Sequence, residues 1–599
     1  MTAPKVNIKE QDISTVVPSS QGVYGGIVIP APKGEVGVPR LITSDKELLK
    51  FFTPDETIKV GYNMAFYSAL TFLGSSSTLH VVRADNGSQY GGVILSTSVG
   101  TNNKLTAESL GTIALVDKTN SIVSITGDIS ERVAVGDYIT ISGSTGNDGK
   151  YMVSAKAFDD TNTNLTLSGS LASTVADGAV HLSSLATPEN YSFNATEALL
   201  ITGANQGTWA NDIAIKLYTY ASSPLVVKES ENNAFMIQVY KYSTNALLET
   251  FICSRDTNAK DGYGNNIYVE DVINGVSNYI KVVDNTALAS STLLKEQTSL
   301  LQLDGAIDGA SVTDSTMISA LQALANKNDV RLKVLMDGGW ATSAYHLALD
   351  TLCKNRQDCV ACLSTPYASE IASDYITAIS TYRNTTLNLN SSYSALYTPH
   401  VLIADRFNDR NIYVSPDGYA ASAIASTASN FEIWFAPAGY RRGTISVSDV
   451  RVRFTDGELD SLYDIGVNPI KFKKGKGIAI FGQKTLSSRP SATDRLNVRL
   501  LLTTIEPDVA EFLEDFLFEF NDEFTRRLVK SGIDDYMDGI KSRRGVYDYA
   551  TVCDSTNNSD ADIDNNIMNV DLYVQPTRTA EFINLTAVIT RTGYTLTVA

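Results

Sequence analysis

From Gly22 onward, apolar and polar positions fall into short runs with clear periods. Val23 to Ile29 is an apolar run of strand length, and Ser44-Asp45-Lys46-Glu47 has the spacing of a capping box opening a helix over Leu48–Phe52. Met64–Leu73 carries a helical period, and Leu79–Arg83 reads as a buried strand. Further on, Leu332–Met336, Ala341–Leu352, Cys359–Leu363, Ile371–Arg383 and Val401–Ala404 alternate strand, helix, strand, helix, strand. That order predicts a largely parallel sheet covered by helices, and mixed α/β structure over residues 200–410.

Residues 90–190 have a different texture. They are rich in Ser, Thr, Gly and Asp, with alternating runs such as Ile139-Thr140-Ile141 and Leu165-Thr166-Leu167, and Asn147-Asp148-Gly149 signals a hairpin between Ile139–Ser142 and Tyr151–Val153. A small all-β domain inserted into the surrounding one and facing outward is the expectation. Near the C-terminus, Phe512, Phe516, Phe520, Phe524 and Leu528 recur every four residues. They predict one aromatic stripe on helical structure, interrupted at Asn521-Asp522, and facing a core. Met568, Val570, Leu572 and Val574 alternate with Asn569, Asp571, Tyr573 and Gln575, and Ile583, Leu585, Ala587 and Ile589 alternate with Phe582, Asn584, Thr586, Val588 and Thr590 in a closing strand with both faces partly apolar. At the other end Val6 and Ile8 alternate with Lys5, Asn7 and Lys9 before Pro18-Ser19-Ser20 breaks the pattern, leaving a strand with no hairpin partner nearby. The fold class expected is α+β multidomain: mixed α/β core domains, an inserted small all-β domain, and extended N- and C-terminal arms. The divisions expected are an arm at 1–20, a middle domain of 21–89 with 191–410, the insertion at 90–190, and a C-terminal domain with a terminal strand arm at 411–599.

Length and composition refine this picture. A chain of 599 residues, 43% hydrophobic and 19% charged, is expected to fold into several domains and not to be disordered. No run of 18 apolar residues occurs and the first residues have no secretory character, so no membrane insertion is expected, and the host cytoplasm is the expected place of assembly. Five cysteines argue against a disulfide framework. The net charge of −18 makes nucleic acid a poor partner. Residues 441–499 nevertheless hold 12 Lys/Arg against 6 Asp/Glu, a local balance of +6, so the remainder carries −24. An acidic body with one basic segment suits self-association, although ordinary solvated charge accounts for it equally well.

Catalytic patterns are weak. Gly477–Thr485 is a near miss of a phosphate-binding loop, but Gln483 separates Gly482 from Lys484, and Ile-Ala-Ile-Phe reads as a strand. Cys353, Cys359 and Cys362 with His346 raise zinc, yet Cys359 and Cys362 fall three apart in one expected strand and so point to opposite faces. The four histidines, His80, His181, His346 and His400, lie in unrelated segments, and Asp534-Asp535, Asp538 and the run Asp560–Asp564 lack calcium-loop spacing. No catalytic, cofactor-binding or metal residue is nominated, and the expectation is a protein that is not an enzyme.

The most specific signal is a string of short motifs in fixed order. It runs Ala436-Pro437-Ala438-Gly439 with Arg442-Gly443, Gly466-Val467-Asn468-Pro469-Ile470, Gly477-Ile478-Ala479-Ile480-Phe481-Gly482-Gln483-Lys484-Thr485, and Asp494-Arg495-Leu496-Asn497-Val498-Arg499. It continues through Val552-Cys553-Asp554 with Asn557-Asn558 and ends at Thr590-Arg591-Thr592-Gly593. With these the chain resembles the contractile phage tail sheath proteins over residues 415–593, and Gly207–Asp212 and Asp261–Asn265 extend the likeness upstream. The resemblance implies a virion-tail structural subunit that polymerises as stacked hexameric rings around a tail tube and contracts from a metastable extended state. It implies the tail tube, baseplate and tail terminator proteins as partners. The alternatives are the sheath of a phage-derived contractile injection system or, in a different class, a tail-associated hydrolase. It also implies strand exchange between subunits, for which the candidates are Val6, Ile8, Val570, Leu572, Val574, Ile583, Leu585 and Ile589. Tube-facing candidates are Arg526, Arg527, Lys530, Lys541, Arg543 and Arg544.

Overall fold

A computed structural model describes residues 22–107, 109–220, 223 and 233–585. Its largest element among those residues is a nine-stranded sheet. The centre is parallel and built from β1 (Gly25–Pro30), β2 (Leu79–Ala84), β3 (Val334–Met336), β4 (Val360–Ser364), β5 (Ser394–Thr398) and β6 (Val467–Lys473). β7 (Gly477–Ile480) pairs antiparallel with β6. In space the order is Arg40–Ile42, β2, β1, β3, β4, β5, β6, β7, Thr444–Ile445. Strands from both ends of the sequence thus meet in one sheet, with Gly25 beside both Leu79 and Val334, and Leu396 beside Val467. The sheet therefore crosses the expected division at 410.

Helices cover both faces, which is why the strands read as unbroken apolar runs. Ile27, Ile29, Met336 and Cys362 face α1 (Ala65–Leu73) and α3 (Asp417–Asn430) in one core, while Val28, Leu335, Ala361 and Leu363 face α2 (Ser343–Arg356) in the other. Cys359 and Cys362 do fall in opposite cores, and the Cys359 thiol lies 3.6 Å from that of Cys353. Thr342 caps α2 by accepting from Tyr345 N, and Gln357 ends it in the left-handed region. The capping box at Ser44 forms only by half. Ser44 accepts from Glu47 N, but the Glu47 carboxylate takes the N–H and hydroxyl of Thr43, one residue too early.

Buried polar groups tie these layers together. His346 Nε2 on α2 lies 2.8 Å from Asp337 Oδ2 just after β3, and Ser364 donates to the same oxygen through N–H and hydroxyl. The Tyr382 hydroxyl lies 2.8 Å from His346 Nδ1. At the start of α3, Asp417 accepts from Ser68 Oγ and Gly338 N. Burial, with the Asp337 charge behind it, pushes the Asp417 carboxyl up to about 7.

Two of the expected α/β assignments are corrected here. Among the described residues the stretch from Glu197 to Gln302 is mainly antiparallel β, contributing to two four-stranded sheets, with short helical turns at Thr208–Asp212 and Val269–Ile273. The connection from Phe235–Lys241 to Ala246–Cys253 spans only residues 242–245, a hairpin and not a crossover. Val401–Asp405 is a strand, but it pairs antiparallel with Arg410–Val414 and Asp449–Val450, outside the parallel sheet. Within 90–190, six strands from Ser109 to Ser184 close a barrel around Val123, Ile125, Ile139, Ile141, Val153, Leu165 and Val180. Ser109 lies opposite His181, so the barrel's two ends sit together. Gly92–Ser96 and Asn103–Lys104, from the same range, pair instead in the sheet of Glu197–Gly203.

Candidate assembly site

The C-terminal part is small and open at its edges. α4 (Leu496–Glu514) and α5 (Glu523–Ser542) pack with a two-stranded antiparallel sheet of β8 (Val546–Val552) and β9 (Asp571–Pro576). Their core is Ile505, Phe512, Val529, Ile533, Met537 and Ile540, with Val570, Leu572 and Val574 against it and Tyr573 facing solvent. Among the described residues no third strand joins β8 or β9. Two strands alone are marginal in water, and their outer edges offer unpaired N–H and C=O groups.

The loop between these strands is stitched by the Asn557-Asn558 motif. Asn557 Nδ2 donates to Val552 O and Asn569 O, while Asn558 Oδ1 accepts from Asn569 N at 2.6 Å. The Asn557-Asn558 motif thus ties the end of β8 to the residue pair leading into β9.

A second motif group serves the arm that follows β9. Asn468 on β6 bridges to the segment beyond β7, accepting from Lys484 N at 2.7 Å and donating to Lys484 O at 2.8 Å. Gly482 passes so close that an added Cβ would lie 2.7 Å from Asn468 Oδ1 and 3.0 Å from its Cα. This places Gln483 and Arg495 on one carboxylate, that of Glu581. Arg495 Nε and Nη2 meet its two oxygens at 2.7 and 2.8 Å, Tyr463 OH donates at 2.5 Å and Gln483 Nε2 at 3.0 Å. Gln483 Nε2 also donates to Thr579 Oγ1 at 2.6 Å. Burial alone would raise the Glu581 carboxyl. The hydrogen bonds from Arg495, Tyr463 and Gln483 outweigh it and hold the group below its usual value. Lys484, the near-miss phosphate lysine, donates to Tyr463 O and lies over that ring.

Beyond Glu581 the described residues 582–585 are exposed. Ile583 and Leu585 are 86% and 92% exposed and lie outside any strand. Within their own chain, then, these two residues lack the strand pairing expected of 583–589. Val6, Ile8 and Ile589 lie outside the described residues.

The expected tube-facing residues are differently placed. Arg526 is buried, its guanidinium donating to Asn521 O and Oδ1. Lys530 pairs with Asp534 and donates to Thr551 O, Lys541 pairs with Asp548, and Arg543 pairs with Glu432 above the Trp434 ring. Arg527 pairs with Glu523 in full exposure, and Arg544 is exposed in the left-handed region. The aromatic stripe is a correction. Phe512 is core and Phe516 packs beside it, but Phe520 and Phe524 face solvent because α4 ends at Glu514 and the chain turns before α5.

Comparison with known proteins places these features. The phage tail sheath protein central domain matches residues 310–486, and the phage tail sheath C-terminal domain matches residues 488–590. The tail sheath protein of Enterobacteria phage T4 is 30% identical over 370 residues, covering 58% of this chain and 55% of that protein. That of Vibrio phage KVP40 is 31% identical over 367 residues, covering 57% and 54%. The chain thus spans about half the length of the curated relatives it matches. In fold it is similar to a sheath tail protein from Listeria innocua, with TM-score 0.51 at 11% identity over 93% of this chain and 96% of that one. One from Desulfitobacterium hafniense gives TM-score 0.50 at 12% identity over 96% of each chain. The family is one of structural, non-enzymatic proteins, and its central and C-terminal domains meet here between β7 and α4, at the segment that holds the arm. Residues 310–590 of the chain thus match the central and C-terminal domains of the phage tail sheath family.

Proposed function

We propose that this protein is the subunit of a contractile tail sheath, polymerising as stacked hexameric rings around a tail tube and held together by exchanged strands. The observation that carries this reading is the pairing of an open two-stranded sheet with an arm that is clamped at its root and apolar beyond it. Adding strands to β8 and β9 from neighbouring copies satisfies their free edges and covers Ile583 and Leu585. Covering two such side chains contributes about 1.5–3 kcal/mol each. Val6–Ile8 and Ile583–Ile589 are the proposed donors, and Val570, Leu572 and Val574 lie in the proposed recipient. A contact between two different patches propagates as a helix, which suits a sheath. Contraction then needs an extended state held behind a barrier, with the exchanged strands staying paired while the arms swing.

Tube contact is proposed for the exposed cations Arg527, Lys541, Arg543 and Arg544, since a contact that must release is best made polar. Baseplate and terminator proteins would cap the two ends. The experiment is deletion of residues 1–17, or Leu585→Pro, followed by negative-stain microscopy. Folded monomers without tubes support strand exchange, and intact contracting tubes overturn it.

A further inference from the structure

The misplaced half of the aromatic stripe is a surface in its own right. In the turn between α4 and α5, Leu517, Phe518 and Phe520 are exposed, Phe520 at 83%, as is Phe524 in the first turn of α5. The turn is held firmly: Asn521 Nδ2 donates to Ile567 O at 2.8 Å, Asp522 caps α5 through Thr525 N, and Arg526 grips Asn521. Between Glu511 and Thr525 the sequence has six carboxylates and no Lys or Arg. Of these, Glu514, Asp515 and Glu519 form no ion pair within the described residues. Exposed aromatics of this density on a fixed turn mark an interaction surface.

Its complement lies on the same molecule. The β6–β7 hairpin reads Lys471-Phe472-Lys473-Lys474-Gly475-Lys476, with no acid. Phe472 and Phe481 are exposed there, the Arg453 guanidinium stands 4.3 Å from the Phe472 ring, and Lys471 Nζ stands 5.3 Å from the Phe481 ring. Lys473, Lys474 and Lys476 make no ion pair within the described residues. One surface is aromatic and anionic, the other aromatic and cationic.

Resting on the sheath reading, we propose that the acidic aromatic turn of one copy docks on the basic β6–β7 hairpin of the next. The occupant is a second copy of this chain. The argument is charge complementarity: the turn has no cation of its own, and the hairpin presents Lys473, Lys474 and Lys476, exposed beside a Lys471 that pairs with Asp456, within the net-basic segment 441–499. Because the two patches differ, the contact is head-to-tail and propagates. It is separate from strand exchange, since neither β8 nor β9 takes part.

The test uses the full chain, whose described cysteines are all buried. Phe520→Cys is placed in one preparation and Lys474→Cys in another, and the two are mixed under mild oxidation. The expected product is a disulfide-linked pair of the two variants, with little from either alone. In parallel, Lys473→Glu with Lys474→Glu should raise the concentration needed for polymerisation about tenfold or more. Glu514→Lys with Asp515→Lys should do the same, and the two sets together should restore it. Tubes that form without the cross-link overturn this contact and leave the sheath reading standing. A cross-linked pair from protein that never makes tubes does the reverse, and absence of both overturns the contact. Cross-linking of position 520 to another tail protein in assembled tails also overturns it.

Discussion

Replacing Glu581 by Gln should free the C-terminal arm while leaving the body folded. The substitution removes the anion that Arg495 meets at 2.7 and 2.8 Å, and it turns one acceptor into a donor facing Arg495 or Tyr463. A charge-assisted hydrogen bond contributes about 1.5–3 kcal/mol. Partial exposure of both side chains, 26% for Arg495 and 18% for Glu581, argues for the lower end, as does Asp494 at 3.1 Å, which still compensates Arg495. A net loss of about 2 kcal/mol corresponds to roughly a 30-fold larger detached population. Trypsin reads that population at the exposed Arg578, three residues upstream of the clamp. The cleavage rate should rise by about that factor while the thermal midpoint of the body stays unchanged, because cleavage tracks the open population when reclosing is fast. Arg495→Lys should fall between, keeping charge and losing the bidentate geometry. The sign with pH follows from the lowered carboxyl: the clamp is fully present above the ordinary glutamate range and is lost as pH falls through the depressed value. A rate within about threefold of the unaltered protein would refute the reasoning, since it would mean a clamp strength below about 1 kcal/mol.

Three further outcomes follow from the same geometry. Asp417 binds its proton up to about 7 in the folded state, so its contribution to stability should fall as pH rises from 4 to 7 and then level off, and Asp417→Asn should flatten that limb of a denaturant–pH series. Gly482→Ala should cost about 1–3 kcal/mol in thermal or urea unfolding, because its Cβ would press on the Asn468 backbone. Excising 109–184 and joining the ends with a short Gly/Ser linker should leave tubes forming in negative stain, because Ser109 and His181 already face each other across the barrel.

The parallel sheet was legible because each strand is buried on both faces and so prints a continuous apolar run, as at Val23 to Ile29 and Cys359–Leu363. The antiparallel stretch from Glu197 to Gln302 was misread, since a strand such as Glu197–Gly203 is buried along its whole length like those of the parallel sheet, and such a run does not reveal the direction of its neighbour. The aromatic stripe shows the complementary failure. A period of four extends from Phe512 to Leu528, but the chain turns after Glu514, and sequence period cannot distinguish a continuous helix from two helices in phase. The arm clamp was hidden for another reason. Gln483, Arg495 and Tyr463 were visible as motif members or neighbours, but their shared partner Glu581 lies 86 residues beyond Arg495, a distance no local pattern spans.

Strand exchange is tested most directly by cryo-electron microscopy of the assembled polymer at side-chain resolution. The account predicts β8 and β9 inside a larger sheet, with added strands whose density runs back to Val6–Ile8 and Ile583–Ile589 of neighbouring subunits. A polymer in which β8 and β9 remain two-stranded, or in which residues 583–589 fold back onto their own subunit, would contradict it.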